Sequence, residues 1–210
     1  MNSLLLKDIL SLRGYLKTLV IIIGFFTIMS FSYEDPSFLS GMIILLMSML
    51  PVTTFSYDQL AKWDVFSQTL PVSRKQVVMS KYMLGIIAIF TGLVLSILLN
   101  VFVTQAKSLE LDILYLFQAN LMIALVALLF LSILIPLIYN FGVEKSRMLI
   151  ILVLAIPSLI VIGLSKVGVA LPDIDKITPA MLLGVGFLCV IIAMLISYFI
   201  SVRIYTKKEF

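Results

Sequence analysis

The chain has 210 residues, of which 62% are hydrophobic and only 12% charged, and its mean hydropathy is +1.20. A soluble domain of this size carries about 45–50% apolar and about 25% charged residues, so the solvent for most of this surface is lipid. The net charge of +4 comes with no histidine and a single cysteine, Cys189, which excludes imidazole-dependent hydrolysis, HExxH zinc chemistry, intrachain disulfides and cysteine-clustered metal sites.

Residues 1–17 have a helical pattern, with Leu5, Ile9, Leu12 and Leu16 on one face and Lys7, Ser11 and Gly14 roughly opposite. Such a face suits a helix lying along the inner leaflet; a cytoplasmic extension of the first span is the alternative. The apolar run that follows ends at Ser30-Phe31-Ser32, a spacing of small residues that also suits a signal peptidase. Because everything downstream is membrane-like too, it reads as an uncleaved first span.

Spanning helices need about 20 mostly apolar residues, and six stretches meet that need: Thr18–Tyr33, Phe38–Phe55, Val77–Val103, Phe117–Tyr139, Met148–Leu164 and Ala180–Ile204. Of the 15 basic residues, all but Lys107, Lys166 and Lys176 then fall on one side. Both termini are therefore expected in the cytoplasm. The pI of 9.2 reads as topology and not as a nucleic-acid footprint, since the basic residues are scattered at membrane edges without interleaved aromatics.

The most informative connection is Tyr57–Tyr82. Asp58 is placed to cap a short helix whose Leu60, Trp63 and Phe66 recur every three positions, and Pro71 stops the chain. Val72-Ser73-Arg74-Lys75-Gln76-Val77 then reads as a capping box with its staple, Ser73 at the N-cap and Gln76 at N3. The third span thus starts before the membrane, with Arg74 and Lys75 in a first turn where the helix dipole disfavours cations. These charges either fix topology against anionic headgroups or belong to a rigid knob that docks another protein. Lys81, one turn inside, is expected to snorkel to the cytoplasmic surface.

On the outer side, Leu109, Ile113 and Leu116 share a helical face, which suggests an interfacial helix over Gln105–Leu116. The loop at 166–179 reads either as a partly apolar segment dipping into the lipid or as a plain connection with two turns. Small residues form two stripes, Gly85, Ala88, Gly92 and Ser96 in the third span and Gly186, Cys189, Ala193 and Ser197 in the sixth. They allow close helix packing, within the chain or between subunits. Pro51, Pro136 and Pro157 allow bends.

The deep polar residues are Asn100, Asn120, Asn140 and hydroxyls, with no carboxylate expected inside a span. Ion-coupled carriers need an ionisable or coordinating cluster near the midplane, and intramembrane aspartyl proteolysis needs spanning aspartates. No glycine is followed by lysine, so there is no Walker A motif. Any uphill transport draws its energy from a partner.

The whole pattern resembles the permease subunit of a bacterial ABC-2-type transporter. Its most specific part is Trp63-Asp64 followed by Thr69-Leu70-Pro71-Val72-Ser73-Arg74-Lys75-Gln76-Val77-Val78-Met79-Ser80-Lys81-Tyr82, similar to the family's "sLPvsRkqiVxsKY" segment. The resemblance implies an all-α membrane protein, a single permease domain over 1–210 with an interfacial helix at 1–17, six spans, a coupling region at 56–76 and the outer loop at 166–179. In that family the connection between spans two and three holds a coupling helix that fits the ATPase. Carried over, Asp58–Phe66 is the coupling helix, with Asp58, Leu60, Lys62, Trp63, Asp64 and Phe66 on it and Leu70, Pro71, Arg74 and Lys75 as its flank. Gly85, Ala88, Gly92, Gly186 and Ala193 are the packing positions.

The same resemblance implies a multi-pass protein of the bacterial cytoplasmic membrane with no enzymatic activity or cofactor of its own, ATP and Mg being bound by a separate ATPase. Its implied partners are two ATPase copies, a second permease copy or paralogue and membrane lipids, with no nucleic acid. The subset it most resembles exports amphipathic or antimicrobial peptides, as phenol-soluble modulin exporters do; lipid-like cargo is the broader class. A non-transporting immunity or sensor scaffold and a passive channel or carrier are the alternatives.

Overall fold

The computed structural model describes residues 2–33, 37–110, 112–149, 151 and 178–208. Among the described residues there is no strand. The helices are α1 (Asn2–Ser11), α2 (Arg13–Ser30), α3 (Ser37–Ser48), α4 (Leu50–Leu60), α5 (Trp63–Ser67), α6 (Arg74–Ala106), α7 (Ile113–Phe141) and α8 (Pro179–Lys207), with a further helical stretch at 143–149.

Five described helices are long and apolar enough to cross a membrane: Arg13–Ser30, Phe38–Leu60, Arg74–Ala106, Ile113–Phe141 and Met181–Lys207. They coincide with the first four expected spans and the sixth. The fifth, Met148–Leu164, lies outside the described residues beyond its first positions, as does nearly all of the loop at 166–179. The second span is α3 and α4 in succession, separated at Met49. Pro51 stands in the first turn of α4, where a missing N–H deprives no helical carbonyl.

Local chemistry sets the helix ends. The Ser73 hydroxyl accepts from the Gln76 N–H at 3.3 Å while the Ser73 N–H donates to Gln76 Oε1 at 3.0 Å, the capping box read from the sequence. At the other end of α6, Ser108 adopts a left-handed φ of 54°. The Ser108 N–H donates to the Gln105 carbonyl and the Leu109 N–H to the Thr104 carbonyl, a Schellman closure. Asp112 then caps α7, accepting from the Tyr115 N–H at 3.0 Å. The interfacial helix expected over Gln105–Leu116 is therefore absent: this stop and this start divide it, and Leu109 lies on neither helix.

The N-terminal helix is also shorter than expected, ending at Ser11 with a turn at Leu12. Its buried face is Leu4, Asp8 and Leu12, whereas Ile9 and Leu16 are exposed. An aspartate occupies the centre of the inward face because its charge is matched by neighbouring helices.

α7 packs along α8, α6 and α3, and α6 also contacts α3, α8 and α1. A Cβ on Gly85 would run into Leu131 Cδ2, and one on Gly92 would lie 2.9 Å from Met47 Cβ. The α6 stripe is thus spent on α7 and α3 of the same chain. In α8, Gly186 faces Leu125, whereas Cys189 is exposed and Ala193 half-buried.

Pro136 lies inside α7 and cannot donate to the Ser132 carbonyl one turn earlier. Ser197 of α8 donates to that carbonyl instead. The Tyr82 hydroxyl of α6 stands 2.5 Å from Ser197 Oγ and 2.8 Å from Ser201 Oγ, so one neutral network joins three helices. A second ties Ser40, Ser96, Asn100 and Asn120 together: Asn100 Nδ2 donates to Ser40 Oγ at 2.8 Å, and Ser96 Oγ donates to Asn120 Oδ1. Asn140 is exposed.

Candidate functional site

Four charged side chains meet where α1, α4 and α6 come together. Lys81 Nζ of α6 stands 2.9 Å from Asp8 Oδ1 of α1 and 2.5 Å from Asp58 Oδ2 of α4, and it donates to Thr54 Oγ1 at 3.2 Å. Lys7 Nζ contacts the same carboxylates, 2.9 Å from Asp8 Oδ1 and 2.6 Å from Asp58 Oδ1. Side-chain exposure is 2% for Lys81, 1% for Asp8, 12% for Asp58 and 27% for Lys7. With two cations and two anions the cluster is neutral, which is the condition for burying charge at tolerable cost.

Aromatic rings surround it. Lys7 Nζ lies 4.1 Å from the centre of the Trp63 ring and Lys81 Nζ 5.0 Å from that of Phe55, within cation–π range. Phe55 meets Tyr139 of α7 edge-on at 5.1 Å, and Tyr139 meets Tyr205 of α8 at 5.2 Å. The Tyr205 hydroxyl returns to the α4–α6 connection, 3.3 Å from both Ser67 Oγ and Asp64 Oδ1.

Two sequence expectations are corrected here. Lys81 does not snorkel outward: it is held inward by two carboxylates and a hydroxyl. Nor is Asp58–Phe66 one helix capped by Asp58. Asp58 is in the last turn of α4, facing the cluster, and the chain breaks at Lys62, which takes a left-handed φ of 49° before α5. This break puts Trp63 under Lys7 and leaves Leu60, Val65 and Phe66 outside, at 82%, 55% and 54% exposure.

The flank of this knob is tied down as well. Arg74 Nη1 donates to the carbonyls of Thr206 at 2.6 Å, Lys208 at 3.3 Å and Tyr205 at 3.4 Å, and its Nε donates to Gln68 Oε1 at 3.1 Å. A cation unfavourable at the start of α6 thereby satisfies the exposed carbonyls at the negative end of α8. Asp64 lies 3.9 Å from Lys208. Lys62, Pro71 and Lys75 are exposed and Leu70 is half-buried. At the far side of the knob, Gly142 closes α7 with φ 80°, and a Cβ there would lie 3.1 Å from Gln59 Nε2.

Of the ten positions read as a coupling surface, the structure thus exposes Leu60, Lys62, Phe66, Pro71 and Lys75. It uses Asp58, Trp63, Asp64 and Arg74 to hold the knob on the bundle. Lys7, Asp8, Thr54 and Tyr205 were not singled out from sequence. The available signal was charge balance: once α1, the end of the second span and the start of the third share a side, two lysines and two aspartates are there to pair.

Among the described residues, clefts open between the helices. One of about 520 Å³ lies between α3 and α7, lined by Phe38, Met42, Met49, Ile123 and Phe130 among others, with Ser48 its one hydroxyl. Another of about 450 Å³ lies between α7 and α8 beside Pro136, Asn140 and Ser197.

A family model described as ABC-2 family transporter protein matches residues 3–206. No curated protein and no solved structure matches the chain.

Proposed function

The chain belongs to the ABC-2 transporter family, whose members are multi-pass permeases that associate with an ABC ATPase, and from that membership we propose that the knob around α5 is where the ATPase seats. The observation that carries this reading is the exposed apolar trio Leu60, Val65 and Phe66, borne on a segment tied to α1, α6 and α8. An exposed apolar cluster on an anchored mount is suited to protein docking. Lys62 and Lys75 at its rim add a positive border.

In this reading the knob end faces the cytoplasm of a bacterial cell, the chain has six spans, and both termini lie on the knob side. Two ATPase copies bind ATP and Mg, while this chain pairs with a second copy or a paralogue. Nucleotide-driven closure of the ATPases pushes α5 and shifts the bundle between two arrangements. The cargo is amphipathic peptide or lipid-like material. The α3–α7 cleft supports that class, since phenylalanine and adaptable methionine side chains line it.

Co-expression of the chain with its ATPase, followed by detergent extraction and pull-down, tests the docking surface. Leu60→Asp and Phe66→Asp each place a charge in a desolvated contact, which costs about 2 kcal/mol or more, so recovery of the ATPase is expected to fall at least about tenfold. Recovery equal to the parent, with membrane insertion intact, refutes the reading.

A further inference from the structure

Buried ion pairs are poor sources of stability compared with apolar residues of the same volume. A four-charge cluster at a helix junction therefore asks what else it does. Its members come from three elements: α1 supplies Lys7 and Asp8, α4 supplies Asp58 and Thr54, and α6 supplies Lys81. Within five residues of Asp58 stand the left-handed turn at Lys62 and Trp63, whose ring lies under the Lys7 ammonium. A hinge-like turn without ties would let a push on α5 be taken up by rotation at Lys62. Here the segments before and after that turn are both fixed to Lys7.

The cluster also has room for a second arrangement. Both lysines contact the Asp8 carboxylate at Oδ1, while Oδ2 is buried with no hydrogen-bond partner. A buried acceptor left open is costly. Lys81 of α6 can pass from Oδ1 to Oδ2 without leaving the carboxylate, so α1 and α6 can shift against each other while charge stays paired.

We propose that Lys7, Asp8, Asp58 and Lys81 form a sliding ionic joint that delivers movement of α5 to α6 and to the N-terminal helix. Lys81 and Lys7 are its positioning residues. This rests on the reading that the ATPase seats on the knob, and goes beyond it by naming the receiver of the push. It predicts that a broken joint leaves the ATPase bound but disconnects it from the bundle.

The test uses the full permease–ATPase complex in lipid nanodiscs, with a spin-label pair at the native Cys189, exposed in α8, and at Ser3→Cys, exposed in α1. Trapping with ATP and vanadate is expected to shift the pair's distance distribution in the labelled parent. In Lys81→Met the ATPase is expected at parental stoichiometry with ATP hydrolysis within about twofold, and the shifted population reduced at least about threefold. Lys81→Arg, which keeps the charge, is expected to restore most of the shift. A full shift in Lys81→Met overturns the joint. If that variant does not reach the membrane, Lys7→Met, which removes the more exposed cation, decides by the same criterion. A labelled parent that recovers no ATPase overturns the docking reading instead, which separates the two failures.

Discussion

Replacing Ser197 with alanine probes how the bundle tolerates a proline inside α7. Pro136 leaves the Ser132 carbonyl without its helical donor, and Ser197 supplies one from α8. In Ser197→Ala that carbonyl is orphaned among buried side chains, which costs about 1–3 kcal/mol. Interhelical hydrogen bonds in membranes average only about 0.6 kcal/mol, because the separated helices find other partners; this carbonyl has none in its own helix, so the cost is expected above that average. Tyr82 still retains Ser201 at 2.8 Å. In a Pro136→Ala background the amide N–H returns to Ser132, and Ser197→Ala is expected to cost about 0.6 kcal/mol or less. Thermal unfolding of the four proteins in mild detergent, followed through tertiary structure, completes the double-mutant cycle. An equal cost of Ser197→Ala in both backgrounds would show that the serine does not compensate for the proline.

Gly92→Ala drives a methyl to within 2.9 Å of Met47 Cβ and Cγ, an overpacking cost of about 1–3 kcal/mol against a helix-propensity gain of about 1. Gly24→Ala, with nothing within 4 Å, is expected to be stabilising by up to that propensity gain, so the two variants should move melting temperature in opposite directions; a shared direction refutes the close α3–α6 approach. Arg74→Ala removes the donor to the last carbonyls of α8 and is expected to accelerate amide hydrogen exchange several-fold at 205–208 while leaving the centre of α8 protected. Unchanged exchange there would leave Arg74 with a topological role alone.

What was legible in the sequence is local or periodic. The box at Ser73 and Gln76 depends on residues three apart, and it forms as read. Length and hydropathy located every described span. The ionic cluster is of another kind, since Lys7 and Asp58 are 51 positions apart and Asp8 and Lys81 are 73 apart. Taken singly, each charge near a span end looks like an outward-facing one. The face that α1 turns to the bundle carried no such signal, because Asp8 counts as polar until its lysines are known. The turn at Lys62 carried no signal, as a lysine in left-handed conformation lacks the glycine or asparagine that usually marks one.

The placement of polarity has a physical logic that bears on how such a bundle moves. Among the described residues, the neutral networks of Tyr82, Ser197 and Ser201, and of Ser40, Ser96, Asn100 and Asn120, lie within the spanning helices. Their members can exchange hydrogen bonds without ever exposing a net charge to lipid. Among the described residues, the buried ion pairs collect where α1, α4 and α6 meet, with Lys7 and Asp58 the more exposed members, and their mutual pairing offsets the penalty of burying them. Ionic contacts act over longer range than hydroxyl contacts, so a small displacement at the knob still meets resistance there, whereas a hydroxyl pair would simply let go. On the proposed coupling reading, such a bundle keeps its charges paired where the push enters and exchanges only neutral hydrogen bonds where its helices repack.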